Sequence, residues 1–388
     1  MLRFNTTLLL VASFMVLGSC ADNGATATKT ASPATAKVIQ PVPQVDSAVH
    51  AFMRKHNVPG VSIAITKDGR LVHVKGYGYA DVEAREPVTP SSLFRIASIS
   101  KPITGIAFVK LAEEGKISLD AKVFGTGGIL GTTYGTKPYS KGITDITVRQ
   151  LLNHTSGGWV NDNNDPMFTN PTMTADELIT WTLDNRPLDN TPGTAYAYSN
   201  FGYSILGRII EKVTGQTYEQ YVQTEILKPL GITSMQVGGN TLADRKPNEV
   251  KYYGQQGGQP YIYNITRMDA HGGWLANATD LVKLTAFVDG FASKPDVLKP
   301  ESIEQMTTAS TVNPRYALGW MVNERNSWWH TGSLPGTFTM LARTSGGFSW
   351  AILTNTRTTN PDFGKDIDRL VWTAINDSTT VWPNQDLF

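Results

Sequence analysis

The chain holds a single cysteine among its 388 residues, Cys20, and that scarcity excludes disulfide frameworks, cysteine nucleophiles and thiolate metal sites from everything after it. It has no bias of charge. Its 34 Lys and Arg stand against 33 Asp and Glu, a net charge of +1 that argues against nucleic acid or another polyanion as partner. No apolar run is long enough to cross a bilayer: the stretch 8–17 is about half of the roughly 20 residues a spanning helix needs. Also missing are a Gly-x-Ser-x-Gly elbow, a His-Glu-x-x-His zinc helix and a Gly-x-x-x-x-Gly-Lys phosphate loop. No histidine stands in a ligand cluster, so neither metal nor cofactor is expected.

What is present begins with Met1 and Arg3, the apolar run 8–17, and Leu17-Gly18-Ser19-Cys20. This start resembles a bacterial lipoprotein signal over 1–19, with Cys20 as the lipidated first residue of an exported protein held at the cell envelope. Residues 20–44 are rich in Ala, Thr, Ser, Lys and Pro and have no aromatic side chain, so they read as a disordered tether. From residue 45 the composition, 40% apolar and 17% charged overall, is that of a globular protein with a substantial core.

The spacing of apolar residues predicts a helix over 46–56 and a hairpin over 60–80 that turns at Asp68-Gly69. In the first strand Val61, Ile63 and Ile65 alternate with Ser62, Ala64 and Thr66; His73, in the second, reads as structural. Ile103, Ile106, Ala107 and Leu111 mark one face of a helix that Gly115 ends. Segment 125–146 reads as extended surface; 203–214, 218–227 and a stretch beginning near Thr279-Asp280 read as helices. Strands are expected at 316–323, 327–330, 337–343 and 348–355, and a closing helix at 362–375. The first hairpin and the last strands are each too small alone, so an α+β fold follows: one antiparallel sheet built from both chain ends and flanked by helices.

Three segments carry chemistry. Ser98-Ile99-Ser100-Lys101 puts a lysine one helical turn after a serine, so the two project from one face, and the first turn places Ser98 among helix N-terminal amides. No other Ser-x-x-Lys occurs. Tyr198-Ser199-Asn200 stands where a turn enters a helix, and His330-Thr331-Gly332 opens an extended run. Together with Leu151-Leu152-Asn153-His154-Thr155-Ser156-Gly157, these segments resemble the motifs of the serine β-lactamase and penicillin-binding-protein superfamily, S-x-x-K, Y-x-N and K-T-G, with histidine for the third motif's lysine. The branch resembled holds class C β-lactamases, D-alanyl-D-alanine peptidases and related esterases. The resemblance implies a domain over 45–385, its sheet region formed by 45–92 and 285–385 and a mainly helical subdomain, 93–284, inserted between, with the active site at their junction.

It also implies roles. Ser98 would be acylated, and Lys101, its pKa lowered by burial, would take the serine proton. Tyr198 would relay a proton, made more acidic by the neighbouring Lys101; Tyr196 is the other tyrosine within reach of that role. Asn200 would hold the substrate's acyl-side amide. The backbone N–H groups of Ser98 and Ser333 would form the oxyanion hole, and Thr331 and Gly332 would line the substrate strand. A histidine at 330 would make a weaker, pH-dependent clamp for a substrate carboxylate than lysine, a substitution the family shows among D-peptidases. His154 and His271 read as structural. The implied function is a serine hydrolase acting on a D-amino-acid peptide, a peptidoglycan stem peptide for instance. The alternatives are an esterase on small esters, a β-lactamase acting on β-lactams, and a penicillin-binding sensor that acylates without efficient turnover.

Overall fold

The computed structural model describes residues 40–388. The signal expected at 1–19, Cys20 and the tether as far as residue 39 lie outside the described residues. The hairpin forms as its turn chemistry requires: strands β1 (Gly60–Lys67) and β2 (Arg70–Asp81) are joined by Asp68 at φ 50° and Gly69 at φ 71°. Two successive positive φ values match the right-handed twist of the flanking strands. Strand β3 (Glu86–Pro87) extends this edge, and the chain's end supplies β4 (Met321–Val322), β5 (Trp328–Leu334), β6 (Thr337–Arg343) and β7 (Phe348–Thr354). The seven strands lie in the order β3-β2-β1-β7-β6-β5-β4. The ends of the chain meet where β1 pairs antiparallel with β7, Ile63 opposite Ile352.

Because β1 is central, both of its faces are covered. Val61, Ile63 and Ile65 join Val45, Val49 and Phe52 of helix α1 (Pro43–His56) in an outer apolar layer, which Ile367, Leu370 and Val371 of the closing helix complete. The first helix begins three residues before residue 46 and Val42 is fully buried, so the last residues assigned to the tether are packed. The small face, Ser62, Ala64 and Thr66, lets the helix Ala278–Ala286 lie close on the inner side.

Helix α2 (Ser100–Glu113) runs through the centre of the inner layer. Its apolar stripe is real, but the helix is buried on nearly every face, from Ser100 to Val109. A side chain at Gly105 would collide with the Leu318 carbonyl, so glycine there allows the segment before β4 to rest on the helix. Helix α3 (Asn200–Thr214) packs against α2. The helix expected over 218–227 is α-helical only over Tyr218–Tyr221 and widens to a π-turn over Val222–Leu227. Segment 125–146 runs largely over the surface without a strand, as expected, but Leu130, Tyr134, Ile143 and Ile146 anchor it in the helical core. A small sheet of Phe94–Arg95, Gln236–Val237 and Trp274–Ala276 was not foreseen; its two- and three-residue strands are too short to carry a period.

Candidate active site

Ser98 sits in a 3-10 turn, Ala97–Ile99, directly ahead of α2 rather than within it. Ala97 has φ 48°, a left-handed conformation that costs a residue with a Cβ free energy, so its surroundings must hold it. They do. Ile96 N–H donates to the Trp274 carbonyl at 2.9 Å, the Ile96 carbonyl accepts from Thr339 Oγ1 at 2.9 Å, and Ser100 Oγ donates to the Ala97 carbonyl at 2.8 Å. Strand β5 runs alongside, and a side chain at Gly332 would strike both the Ile96 carbonyl and the Thr339 hydroxyl. Gly332 thus serves the approach of the sheet to the nucleophile turn.

Lys101, one turn on, is fully buried. Its Nζ donates to Ser98 Oγ at 3.3 Å, Asn200 Oδ1 at 2.8 Å and the His271 carbonyl at 3.1 Å, and it lies 4.7 Å from the ring centre of Tyr198. Burial brings its pKa down to about 7, against the pull of the Asp165 carboxylate. A buried amine in contact with a hydroxyl and half neutral near pH 7 can accept that hydroxyl's proton.

The second motif is placed by capping. Ser199 Oγ accepts from Gly202 N–H at 3.0 Å at the head of α3, which puts Asn200 in the first turn with its amide pointing at Lys101. Asn200 Nδ2 in turn donates to Asp165 Oδ2 at 2.9 Å. Asn200 lines the cleft, but both ends of its amide are held by protein groups, so its first task is to carry Lys101. The Tyr198 hydroxyl hydrogen-bonds Ser98, yet burial dominates and raises its pKa above the usual phenol value. Lys101 therefore does not make Tyr198 a phenolate: it faces the ring, and Tyr198 stays a neutral hydroxyl that can pass a proton on. Tyr196 packs edge-on to the His154 ring at 5.9 Å and forms wall.

The third motif departs furthest from expectation. His330 is 1% exposed, and both of its ring nitrogens are engaged in the interior: Nδ1 with the Thr331 carbonyl at 2.7 Å and Nε2 with Tyr316 Oη at 3.0 Å. Tyr316 Oη also meets His154 Nε2 at 3.2 Å, and His154 Nδ1 accepts from Ser199 N–H at 3.1 Å. The two backbone ends set every proton. His154 carries its hydrogen on Nε2 and donates to Tyr316, which donates to His330 Nε2; His330 Nδ1–H donates to Thr331. Burial, with Lys101 nearby, brings the His330 pKa down to about 3. The expected pH-dependent clamp on a substrate carboxylate is therefore corrected: this imidazole is neutral and has no free donor. Thr331, on the opposite side of β5 from His330, lines a groove with Trp329, Met340 and Ala342 instead of the Ser98 cleft.

That cleft, about 180 Å³, is bordered by Ser98, Asn161, Asn200, His271, Ser333 and Arg357 among others. Arg357 is the one charged side chain among the described residues lining it, and its Nη1 donates to Ser333 Oγ at 3.0 Å.

Comparison with known proteins bears on the family and the fold. The sequence profile of the beta-lactamase family matches residues 45–373. The chain belongs to the beta-lactamase family. Among curated beta-lactamase-family relatives, protein flp of Staphylococcus aureus strain N315 is 30% identical over 307 residues, 75% of this chain and 58% of that protein. The chain thus spans well under two thirds of that relative's length. A protein of Escherichia coli O157:H7, provisionally named a D-alanyl-D-alanine carboxypeptidase, is 29% identical over 303 residues, 68% of each. Of solved structures, an octameric penicillin-binding protein homologue from Pyrococcus abyssi superposes with TM-score 0.69 at 30% identity, covering 85% of this chain and 77% of the other. D-amino acid amidase from Ochrobactrum anthropi SV3 shares the fold, with TM-score 0.71 at 22% identity over 86% and 99% of the two chains. Beta-lactamase-family proteins of this fold are serine hydrolases.

Within that family frame, the residues not foreseen are Asp165, Tyr316 and Arg357. Asp165, capping a four-residue helix, and Arg357, in the two-residue strand Thr356–Arg357, have no motif around them, and Tyr316 stood in an expected strand as one aromatic among many. His154, expected to be structural, is so in a specific way: its φ is 60°, and its ring lies between Tyr198 and Tyr316 and joins the second motif to the third.

Proposed function

We propose that the chain is a serine hydrolase acylated on Ser98, acting on the amide bond of a D-amino-acid peptide that ends in a free carboxylate. The observation that carries this reading is Lys101, buried, 3.3 Å from Ser98 Oγ and with its pKa brought down to about 7. As Ser98 Oγ attacks the carbonyl carbon, its proton passes to Lys101 Nζ, and the oxyanion that develops would face the backbone N–H groups of Ser98 and Ser333. When the tetrahedral intermediate collapses, the leaving amine takes the proton held on Lys101 Nζ, with the neutral Tyr198 hydroxyl, hydrogen-bonded to Ser98, beside the breaking bond. Water then releases the acyl group by the reverse path.

Arg357, with Ser333 beside it, supports a carboxylate on the leaving side, where a planar guanidinium can form paired hydrogen bonds. The small cleft supports substrates with a compact residue next to the scissile bond, since sites for larger ligands run from about 300 Å³ upward. The names of the Ochrobactrum amidase and the E. coli relative support D-amino-acid amides and peptides as the class.

The test is burst and steady-state turnover of a D-alanyl-D-alanine peptide, a p-nitrophenyl ester and a chromogenic cephalosporin by the native chain and Ser98→Ala. Serine-dependent peptide turnover is expected, with the variant slower by about 10³-fold or more. Turnover of the ester alone or the cephalosporin alone would move the substrate class, and unchanged labelling of Ser98→Ala would remove the mechanism.

A further inference from the structure

With Ser98, Lys101 and Tyr198 assigned, a buried carboxylate two hydrogen bonds from Lys101, Asp165, has no task. Asp165 has no solvent exposure and belongs to neither an ion-pair cluster nor a motif. It caps the four-residue helix Pro166–Thr169, its Oδ1 accepting from Met167 N–H at 2.8 Å. A cap needs only one oxygen, and caps are ordinarily at the surface. The second oxygen, Oδ2, accepts from Asn200 Nδ2 at 2.9 Å, and Asn200 Oδ1 accepts from Lys101 Nζ at 2.8 Å. The amide between them has only one orientation that satisfies both neighbours, because a carboxylate needs a donor and an ammonium needs an acceptor. A line of two hydrogen bonds therefore joins a buried carboxylate to the amine beside Ser98.

The charged and titratable groups facing Asp165 are few. Lys101 attracts it and Asp162 opposes it. From a third element the buried Arg267 bears on it, with its guanidinium fastened to the carbonyls of Met167, Asn170 and Met173 just beyond Asp165. Tyr198 also feels the carboxylate, and its ionisation is discouraged by it. Burial raises the Asp165 pKa to about 6, so the group is ionised at neutral pH.

We infer that Asp165 is a positioning residue for the base: acting through the Asn200 amide, its carboxylate holds Lys101 Nζ against Ser98 and stabilises the ammonium formed when Ser98 gives up its proton. The inference rests on the reading of Ser98 and Lys101 as nucleophile and base. In the step itself the Ser98 Oγ lone pair forms the new C–O bond, the O–H bond breaks, and the proton binds the Lys101 lone pair. No proton reaches Asp165. Its charge lies two hydrogen bonds away and makes the amine a stronger base than burial alone would leave it.

The sign of this effect separates it from a role in folding. Without the negative charge the ammonium is less stable, so the Lys101 pKa falls, the amine becomes neutral at lower pH and is then a weaker base. The experiment measures Ser98 acylation by p-nitrophenyl acetate, from the burst of p-nitrophenol, between about pH 5 and about pH 9, for the full chain and for Asp165→Asn and Asp165→Ser. Asparagine and serine are both good helix caps, so each keeps the bond to Met167 N–H, and thermal melts confirm that each variant is folded.

The expected result in either folded variant is an acid limb of the acylation profile moved down by about one pH unit, with a plateau a few-fold slower. An acid limb that stays in place or moves upward in a folded variant overturns the role of Asp165, whatever the plateau does. The native chain distinguishes the two levels of the argument: a native burst that survives Ser98→Ala, or has no acid limb, refutes the assignment of nucleophile and base instead.

Discussion

The two faces of the seven-stranded sheet are built on opposite principles. On the outer face Val45, Val49 and Phe52 of α1 meet Ile63, Ile65, Ile367, Leu370 and Val371, an apolar layer in which Lys55, His56 and Asp366 pair at the margin. The inner face, where α2 passes, buries Lys101, His154, Asp165, Asn200, His271 and His330. Apolar layers tolerate exchange of shape for shape, whereas buried polar groups must each find a partner or change protonation. The inner face meets that demand with chains of hydrogen bonds, and Lys101, His154, Asp165 and His330, each shifted by burial, lie along them. Stability is concentrated on one side of the sheet and poised chemistry on the other.

The sharpest way to break this contrast is to exchange the losses. Lys101→Met removes the base while keeping the volume of the side chain, so acylation should fall by about 10³-fold with the melting temperature unchanged or raised, because a buried amine is replaced by packing. Ile367→Ala, on the outer face, should cost about 2 to 5 kcal/mol in denaturant unfolding and leave the burst per folded molecule intact. If the lysine variant unfolds while retaining its burst, or the isoleucine variant loses its burst while folded, the division between the faces is wrong.

Acid should act mainly through the buried histidines. His330, at about pKa 3, and His154 and His271, both held well below 6.5, are neutral when folded because burial disfavours the cation; His73, at about 4 in the hairpin, behaves alike. A group with a depressed folded pKa binds its proton in the unfolded chain first. The stability present above about pH 6.5 should therefore be lost as pH falls below it, by up to about 1.4 kcal/mol per pH unit for each histidine until its folded pKa is reached. Unfolding midpoints measured down to about pH 4.5 that stay flat would show that these imidazoles are not held neutral.

The smallest effect concerns the margin of the cleft. Arg357→Gln should raise KM for carboxylate-bearing peptides by about tenfold and leave hydrolysis of a neutral ester unchanged, since a surface-accessible guanidinium–carboxylate pair is worth about 1 to 2 kcal/mol. Equal KM values for the two proteins on the peptide would transfer carboxylate recognition to another group.

The parts of the fold and site that could be read from the chain are those that depend on neighbours in sequence. Asp68-Gly69 names its own turn, Ile63 and Ile65 alternate on their own strand, and Ser98 and Lys101 share a helix face because they are one turn apart. The resemblance of four short phrases was enough to anticipate the family. What misled was the assignment of a role by position alone. His330 stands where a lysine is expected, so it was given a lysine's task; only its neighbours Tyr316 and Thr331 show that both of its nitrogens are taken.

Local chemistry thus determined that this chain pairs its ends into one sheet and presents a serine with a lysine beside it, because periodicity, turn preference and i, i+3 spacing are properties of the backbone itself. Tertiary structure alone decided the protonation of that lysine, the left-handed Ala97 turn that presents the serine, the neutrality of His330, and the placing of Asp165 and Arg357 around the cleft. Desolvation and electrostatic contact depend on what surrounds a group in space. Asp165 lies 64 residues from Lys101 in the chain and two hydrogen bonds from it in the fold.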